Sequence, residues 1–221
     1  MSTSQSLQAV LFDLDGTLAD SAPDLVAALA TLCVEIGHPA VDPVAVSRVV
    51  SAGGRAILRC GLPDFDDARI EELLPRYLEL YSARLNASTQ LYDGIDGVLR
   101  DLECRGIAWG VVTNKAGWLA NPMIDQLGLG SRCGVVVAGD TLPKRKPDPD
   151  PVLHACDVLS VNPTRTIFVG DDIRDIEAGR AAGTRTIAAA WGYLNGGDPA
   201  DWNAHGIAAS VADLPNHLHL D

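Results

Sequence analysis

Basic residues are scarce in this sequence of 221 residues, which has 17 lysines and arginines against 29 aspartates and glutamates. The resulting net charge is −12. Nucleic acids and anionic membranes bind proteins that display clustered lysine and arginine, so this balance argues against both as partners. A phosphate-binding site in such a chain must be locally positive, or must carry a metal ion, against the negative field of the whole molecule.

Cysteine is also sparse, with five residues and no CxxC pair. An odd number of scattered cysteines argues against a disulfide framework or a zinc site and favours thiols in a reducing compartment. No apolar run approaches the length of a membrane span, and no signal peptide is recognised before the first predicted strand. We therefore expect a cytoplasmic protein of the α/β type, whose core is supported by 47% apolar residues.

One stretch, Ala9–Thr17 with the sequence AVLFDLDGT, organises the rest of the chain. Its apolar first half predicts a buried parallel strand that ends in an acidic, glycine-containing turn. If the chain remains extended there, Asp13 and Asp15 point to the same side, because side chains alternate along an extended backbone. Two neighbouring carboxylates favour the binding of a hard cation such as Mg²⁺, which prefers oxygen ligands.

The second half of the chain alternates predicted helices and strands across short loops. Strands are expected at 107–112, 134–138, 166–169, 186–190 and 208–211, and helices at 97–105, 119–127, 151–159 and 173–182. This alternation predicts βαβ units and a parallel sheet, in which ligands bind at the carboxyl ends of the strands. We therefore expect one site formed by residues that follow different strands: Asp13, Thr113, Lys146 and Asp171.

Residues 20–88 differ from the rest, because their apolar residues recur at helical spacing with no strand-like alternation. Ser21 or Asp24 is expected to cap the first helix of this segment. We predict a catalytic core formed by residues 1–19 and 89–221, and an α-helical cap formed by residues 20–88 and inserted after the first strand.

The converging groups suit phosphoryl transfer. Carboxylates hold Mg²⁺, Lys146 balances the charge of a phosphoryl group, and Thr113 donates a hydrogen bond to its oxygens. Asp13 can attack phosphorus and form an aspartyl-phosphate, which divides hydrolysis into two easier steps. Asp15 is then placed to protonate the leaving alkoxide and later to accept a proton from water.

Four motifs, in this order, resemble those of the haloacid dehalogenase-like (HAD) phosphatase superfamily. They are Asp13-Leu14-Asp15-Gly16-Thr17, Thr113-Asn114, Lys146-Pro147 and Gly170-Asp171-Asp172-Ile173-Arg174-Asp175. The resemblance extends over nearly the whole chain. It implies a Rossmann-like (HAD-like) parallel-sheet core with an α-helical cap over the sheet edge.

The resemblance also implies a role for each motif residue. Asp13 is the nucleophile, and Asp15 is the general acid and base. Thr113 and Lys146 bind the phosphate. Mg²⁺ is held by Asp13, by the backbone carbonyl of Asp15 and by Asp171.

Three other residues of these motifs have two interpretations each. Asn114 either supports its loop or binds the phosphate. Asp172 and Asp175 are assigned to positions behind the metal ligands, which they would orient, but a helix start is also where acids act as caps.

Substrate choice is expected to come from the cap, where Ser51-Ala52-Gly53-Gly54-Arg55 places two glycines before an arginine. The turn at Gly54 can expose backbone amides, and Arg55 can hold a carboxylate through two parallel hydrogen bonds. The alternative is a helix break followed by a surface arginine. Either way, the expected partner is a small phosphorylated metabolite, bound by a monomer or a homodimer.

Within the superfamily, the sequence resembles the phosphoglycolate phosphatase branch and, more closely, the bacterial N-acetylmuramic acid 6-phosphate phosphatases of cell-wall recycling. The further similar segments include Trp109–Lys115 and Trp191–Tyr193. Both substrates pair a phosphate with a carboxylate, and we favour the sugar phosphate. One departure is the cap loop, which reads Ser-Ala-Gly-Gly-Arg rather than Ser-Gly-Gly-Ala-Arg.

Two other classes of protein share some of these features. A phosphomutase of the β-phosphoglucomutase type shares the four motifs and the cap, and differs by returning the phosphoryl group to its substrate. A phosphorylatable signalling domain also places acids, threonine and lysine at strand ends, but such domains are shorter and lack a helical insertion.

Overall fold

The structure is a computed structural model that describes residues 6–220. Its strands are β1 (Ala9–Phe12), β2 (Ala19–Asp20), β3 (Gln90–Leu91), β4 (Ala108–Val112), β5 (Val136–Val137), β6 (Thr166–Gly170), β7 (Arg185–Ala189) and β8 (Gly206–Ala208). Six of them form one parallel sheet in the order β5-β4-β1-β6-β7-β8. The first strand lies at its centre, with Leu11 opposite Gly110 on one side and Phe168 on the other.

The helices are α1 (Ala22–Ile36), α2 (Pro43–Ser47), α3 (Gly54–Gly61), α4 (Asp67–Ser82), α5 (Ile95–Cys104), α6 (Gly117–Gln126), α7 (Asp150–Leu159), α8 (Ile173–Ala181) and α9 (Leu214–Leu218). Short 3₁₀ turns lie at Val50–Ala52, Pro163–Arg165, Leu194–Gly196, Pro199–Asp201 and Val211–Asp213. The predicted α/β fold with a parallel sheet is therefore confirmed. None of the helices between residues 6 and 220 combines the length and apolar character that a membrane span requires.

Two predicted strands differ from those observed. The strand expected at 134–138 is reduced to Val136–Val137, which pairs with β4 at the edge of the sheet. The strand expected at 208–211 lies at Gly206–Ala208, because the chain enters a 3₁₀ turn at Val211. Both are edge strands, where a short apolar run gives little information on length.

Four helices, α1 to α4, occupy the segment between β2 and β3. They share a hydrophobic cluster that includes the buried side chains of Leu29, Ile57 and Tyr77. The two short strands pair antiparallel, with Ala19 opposite Leu91, and join this segment to the sheet. Sequence analysis missed this pair because two-residue strands have no measurable periodicity. The observed layout agrees with a helical segment inserted after β1, while the exact boundaries at 20 and 88 stay a prediction.

The expected side-chain cap of α1 is wrong. Ser21 stands at the N-cap position of α1 but makes no capping hydrogen bond. Its hydroxyl instead donates to the Oδ1 of Asp15, at 2.5 Å, because the helix begins beside the acidic turn that follows β1. Pro23 in the first turn and the left-handed Gly37 (φ 68°) define the two ends of this helix.

Asp24 does not cap α1 either, because its carboxylate points to the returning chain. This fully buried group accepts hydrogen bonds from the backbone N–H of Ser88 and from both the N–H and the hydroxyl of Thr89. Burial raises the pKa of Asp24, but these hydrogen bonds and the nearby Arg84 outweigh burial and hold the pKa below its ordinary value. Asp24 thus links the chain that enters the helical segment to the chain that leaves it through hydrogen bonds.

Candidate active site

Three buried aspartates meet at the carboxyl ends of β1 and β6. One carboxylate oxygen from each of Asp13, Asp171 and Asp175 lies within 4.8 Å of the others. The Nζ of Lys146, whose side chain is 3% exposed, lies 2.8 Å from Asp13 Oδ1 and 2.7 Å from Asp175 Oδ1. It also donates to the carbonyl of Val112 at 2.7 Å. Burial disfavours the ammonium, but the two carboxylates outweigh burial and raise the pKa of Lys146, so the side chain stays a cation.

The acids are crowded enough to favour an added cation. Burial, and then the charge of Asp13, raise the pKa of Asp171 to about 7. Burial likewise raises the pKa of Asp175 well above its ordinary value, in spite of Lys146. Asp13 Oδ1 is paired with Lys146 but accepts no well-directed hydrogen bond among residues 6–220. Buried carboxylates with free acceptor capacity are the donor set that a hard divalent cation takes, so the residues present fit a metal site.

Asp171 is the most tightly held of the predicted metal ligands. It accepts hydrogen bonds from the hydroxyls of Thr17 and Ser51, at 3.0 and 2.9 Å, and from the backbone N–H of Tyr193 at 2.9 Å. The Ser51 hydroxyl also lies 3.4 Å from the backbone carbonyl of Asp15. Asp171 and the Asp15 carbonyl, two of the predicted ligands, therefore share one hydroxyl as a neighbour. That hydroxyl comes from the helical segment.

Asp172 and Asp175 form a capping box at the start of α8. Asp175 acts as the cap that was one of its two interpretations, because its Oδ2 accepts from the N–H of Asp172 at 3.1 Å, and its Oδ1 pairs with Lys146. Asp172 pairs with Arg174, whose Nε lies 2.7 Å from its Oδ1. Neither finding tests a role in metal binding, so the placement of both acids behind the metal ligands stays a prediction.

Thr113 and Asn114 follow β4 and face the same edge. Thr113 is buried, and its backbone N–H extends the sheet by donating to Val137 at 2.9 Å. The side-chain amide of Asn114 donates to the backbone carbonyl of Lys146 at 3.0 Å, which supports the loop that carries the lysine. The geometry favours loop support for Asn114, since its remaining buried atom is an acceptor oxygen and phosphate offers only acceptors.

Asp15 is held by a residue to which the sequence analysis assigned no role. The Nζ of Lys115 lies 3.0 and 3.2 Å from the two carboxylate oxygens of Asp15, and Ser21 binds the same carboxylate. Lys115 also donates to the hydroxyl of Tyr81, at 2.8 Å. The signal that could have found Lys115 is its position, because it directly follows Thr113-Asn114 at the carboxyl end of β4, where parallel sheets bind ligands.

A cavity of about 540 Å³ separates the acids from the helical segment. It is lined by six of the 17 lysines and arginines of the chain, namely Arg55, Arg59, Lys115, Arg145, Lys146 and Arg174. The same cavity is lined by four aspartates, namely Asp13, Asp15, Asp172 and Asp175. Basic side chains thus outnumber acidic ones by six to four, a local excess of positive charge in a protein of net charge −12. The volume is typical of pockets that bind small metabolites.

Arg55 and Gly54 lie where the cap loop meets α3. Gly54 is the first residue of this helix, after Gly53 in a positive-φ conformation (φ 87°), and both line the cavity. Arg55 is half exposed and forms a two-point pair with Glu71, with Nε–Oε1 at 2.5 Å and Nη2–Oε2 at 2.9 Å. The predicted fork geometry is therefore present with an internal carboxylate. A substrate carboxylate would have to displace Glu71.

Comparisons with known proteins identify the family of the chain. A model of the haloacid dehalogenase-like hydrolase family matches residues 10–189. A phosphoglycolate phosphatase of Xanthomonas campestris pv. campestris (strain 8004) is 47% identical over 198 residues, 89% of this chain and 90% of the relative. An N-acetylmuramic acid 6-phosphate phosphatase of Pseudomonas aeruginosa is 43% identical over 213 residues, 96% of this chain and 93% of the relative.

Among solved structures, the crystal structure of a predicted phosphoglycolate phosphatase from Haemophilus somnus 129PT has the same fold. It matches with a TM-score of 0.86 at 24% sequence identity, over 96% of this chain and 97% of that chain. The predicted family and enzyme class, a phosphoric monoester hydrolase, are confirmed by the family match and the two phosphatase-named relatives. The chain belongs to the haloacid dehalogenase-like hydrolases.

Proposed function

We propose that this protein is a Mg²⁺-dependent phosphatase that hydrolyses a small, carboxylate-bearing phosphomonoester through an aspartyl-phosphate on Asp13. The observation that carries the proposal is the buried pair of Asp13 and Lys146, 2.8 Å apart at a cavity lined by more basic than acidic side chains. A carboxylate beside a fixed cation, in a pocket that attracts anions, is suited to attack phosphorus.

In the first step, a carboxylate oxygen of Asp13 bonds to phosphorus as the bond from phosphorus to the leaving oxygen breaks. Lys146 offsets the charge of the transferred group, and Thr113 donates a hydrogen bond to it. Asp15 gives its proton to the leaving oxygen, so that an alcohol rather than an alkoxide departs.

In the second step, the ionised Asp15 accepts a proton from water while the water oxygen bonds to phosphorus. The bond between phosphorus and Asp13 breaks, which restores the carboxylate and releases inorganic phosphate. The two steps balance with water as the only co-reactant.

The proposed Mg²⁺ ligands are Asp13, Asp171 and the backbone carbonyl of Asp15. When bound, Mg²⁺ supplies positive charge that stabilises the phosphoryl group in transfer. Asp172 and Asp175 orient the residues around it, since Asp175 holds Lys146 and Asp172 begins α8. The raised pKa of Asp171 is consistent with a cation that replaces a proton at neutral pH.

We favour N-acetylmuramic acid 6-phosphate, a substrate of cell-wall recycling. The cavity of about 540 Å³ exceeds what a two-carbon phosphate fills, and the half-exposed indole of Trp118 lines it as a flat apolar surface for a sugar ring. Arg55 offers a fork for the carboxylate, which 2-phosphoglycolate also carries. The alternative is therefore 2-phosphoglycolate, the substrate in the name of the Xanthomonas relative.

The proposal includes motion of the cap. Residues 20–88 act as a cap that moves on hinges near Asp20–Ser21 and Asn86–Tyr92, closing over the substrate and excluding water. The protein works in the cytoplasm as a monomer or homodimer, without a nucleic-acid or membrane partner. Identical cap positions in crystals with and without a phosphate analogue would contradict the hinge.

The test measures phosphate release from N-acetylmuramic acid 6-phosphate and from 2-phosphoglycolate, in parallel, with Mg²⁺ and with EDTA. We expect release only with Mg²⁺, and a preference of about a hundredfold in kcat/KM for the sugar phosphate, or about 2.7 kcal/mol. The reverse preference would favour the phosphoglycolate alternative. Isomerisation of a hexose 1-phosphate without phosphate release would identify a β-phosphoglucomutase-like enzyme instead.

A further inference from the structure

Lys115 is a buried cation of the active site that has no part in the two steps above. It follows Thr113 by two residues at the end of β4, and its side chain is 7% exposed. Burial disfavours its charge, but Asp15 and Tyr81 outweigh burial and raise the pKa of Lys115, so it stays an ammonium. A buried ammonium requires partners that compensate for its lost hydration.

Its partners come from both sides of the cavity. On the sheet side, Nζ lies 3.0 and 3.2 Å from the two oxygens of Asp15. On the cap side, Nζ donates to the Tyr81 hydroxyl at 2.8 Å and lies 4.6 Å from the centre of the same ring. Burial raises the pKa of Tyr81 to about 12, so this hydroxyl is neutral and accepts from the ammonium.

Lys115 contacts both groups at once. Its Nζ lies within hydrogen-bond distance of both oxygens of the Asp15 carboxylate and also donates to the Tyr81 hydroxyl. The orientation of the Asp15 carboxylate is therefore set by a group that is itself set by α4. Ser21, just before α1, donates to the same carboxylate, with its hydroxyl 2.5 Å from Asp15 Oδ1.

We propose that Lys115 is a positioning residue that couples the cap to the general acid: the Tyr81 hydroxyl fixes the ammonium, and the ammonium fixes Asp15 toward the leaving oxygen. The coupling rests on the proposed function, in which Asp15 protonates the leaving group. When α4 moves away from the sheet, Lys115 loses one acceptor and Asp15 loses its fixed direction. Proton delivery is then confined to the closed cap.

The test uses the leaving group, because only a poor one needs a proton from Asp15. The rate of the first step is measured by rapid quench with p-nitrophenyl phosphate, whose phenolate departs unprotonated. It is measured in the same way with N-acetylmuramic acid 6-phosphate and 2-phosphoglycolate, whose alkoxides need the proton. The variants are Lys115→Met, which keeps length but removes charge, and Tyr81→Phe, which removes one oxygen and keeps the ring.

We expect Lys115→Met to slow the first step about a hundredfold with the alkyl phosphates, in the range of general acid catalysis, and less than about threefold with p-nitrophenyl phosphate. Tyr81→Phe should show the same selectivity at about tenfold. Lys115→Arg, which keeps the charge, should recover part of the loss. The matched control is Tyr77→Phe, which also removes a buried hydroxyl of α4, one bonded to the Leu25 carbonyl at 3.2 Å.

The control should change the rates with all three substrates by one common factor. Equal slowing with aryl and alkyl phosphates in both Lys115→Met and Tyr81→Phe would overturn the coupling and leave Lys115 a structural lysine. If Lys115→Met does not fold, the selectivity of Tyr81→Phe alone tests the coupling, since this substitution removes one oxygen and changes the side-chain volume little. A wild type that releases phosphate from none of the three substrates would instead overturn the proposed function.

Discussion

The two walls of the cavity hold their cations in opposite ways. On the sheet side, Lys146 is 3% exposed and pairs with two buried aspartates. On the cap side, Arg55 is 52% exposed and pairs with Glu71, which is itself half exposed. If a buried ion pair loses one partner, the other charge remains unpaired in a medium of low dielectric constant, which is costly in free energy. An exposed ion pair can exchange partners at little cost in free energy, because water solvates both charges. Under the proposed function, the buried pairs of the sheet side hold the catalytic groups in place, and the exposed pair of the cap side can exchange its partner for a ligand.

The largest effect is expected for Asp13→Asn on the sheet side. Turnover should fall by about 10⁴-fold or more, because an amide cannot attack phosphorus. Phosphate release measures the loss, and circular dichroism should show an unchanged fold. Asp93→Asn, an exposed change outside the cavity, is the matched control and should keep full activity. Full activity of Asp13→Asn would remove the nucleophile from the mechanism.

Lys146→Met should destabilise the protein as well as inactivate it. The change leaves Asp13 and Asp175 buried without their cation, which we expect to cost about 3–5 kcal/mol in the free energy of unfolding. Urea unfolding measures this loss. Lys144→Met is the matched control two residues away, because Lys144 is exposed and pairs with Asp148 and Asp150 on the surface. An equal effect of the two substitutions would contradict the contrast between buried and exposed cations.

Asp24→Asn tests the connection between the two regions. Because hydrogen bonds hold the pKa of Asp24 below its ordinary value of 3.8, its ionised form stabilises the fold above that value and loses this contribution as pH falls through the lowered pKa. We expect a loss of about 2 kcal/mol at neutral pH, the size of hydrogen bonds to a charged group. Urea unfolding in acid should show a smaller difference between variant and wild type. The same loss at both pH values would contradict this pKa.

Arg55→Ala should have the smallest effect, and one confined to binding. We expect KM for a carboxylate-bearing substrate to rise about tenfold with little change in kcat, the signature of an interaction made equally in the ground and transition states. KM for p-nitrophenyl phosphate, which lacks a carboxylate, should stay the same. Arg69→Ala, another exposed cap arginine paired on its own helix and outside the cavity, is the control. A fall in kcat for both substrates would place Arg55 in the chemistry instead.

The meeting of Asp13, Lys146 and Asp171 could be predicted from the sequence. Each follows a strand or its loop, and the parallel topology brings those strand ends to one edge. The chemistry of the residues then limits what the edge can bind. The location of this site could be predicted because it depends on the order of strands and helices and on the rule that parallel sheets bind ligands at the carboxyl ends of their strands.

The contacts across the cavity could not be predicted in the same way. Helical spacing marks Tyr81 as a buried residue of α4, but not that its hydroxyl meets Lys115, which lies 34 residues away in the sequence. The pairing of Arg55 with Glu71 joins two helices in the same manner. These contacts depend on how the helices pack on one another and on the sheet, and no single-chain periodicity encodes that packing.

The most direct measurement is a search for the covalent intermediate on Asp13. The wild type is mixed with Mg²⁺ and N-acetylmuramic acid 6-phosphate or 2-phosphoglycolate, quenched in acid within the first turnover, digested, and analysed by mass spectrometry. We expect one added phosphoryl group on the peptide that contains Asp13, and none in Asp13→Asn. Release of phosphate with no phosphorylated peptide, or with the phosphoryl group on another residue, would contradict the mechanism.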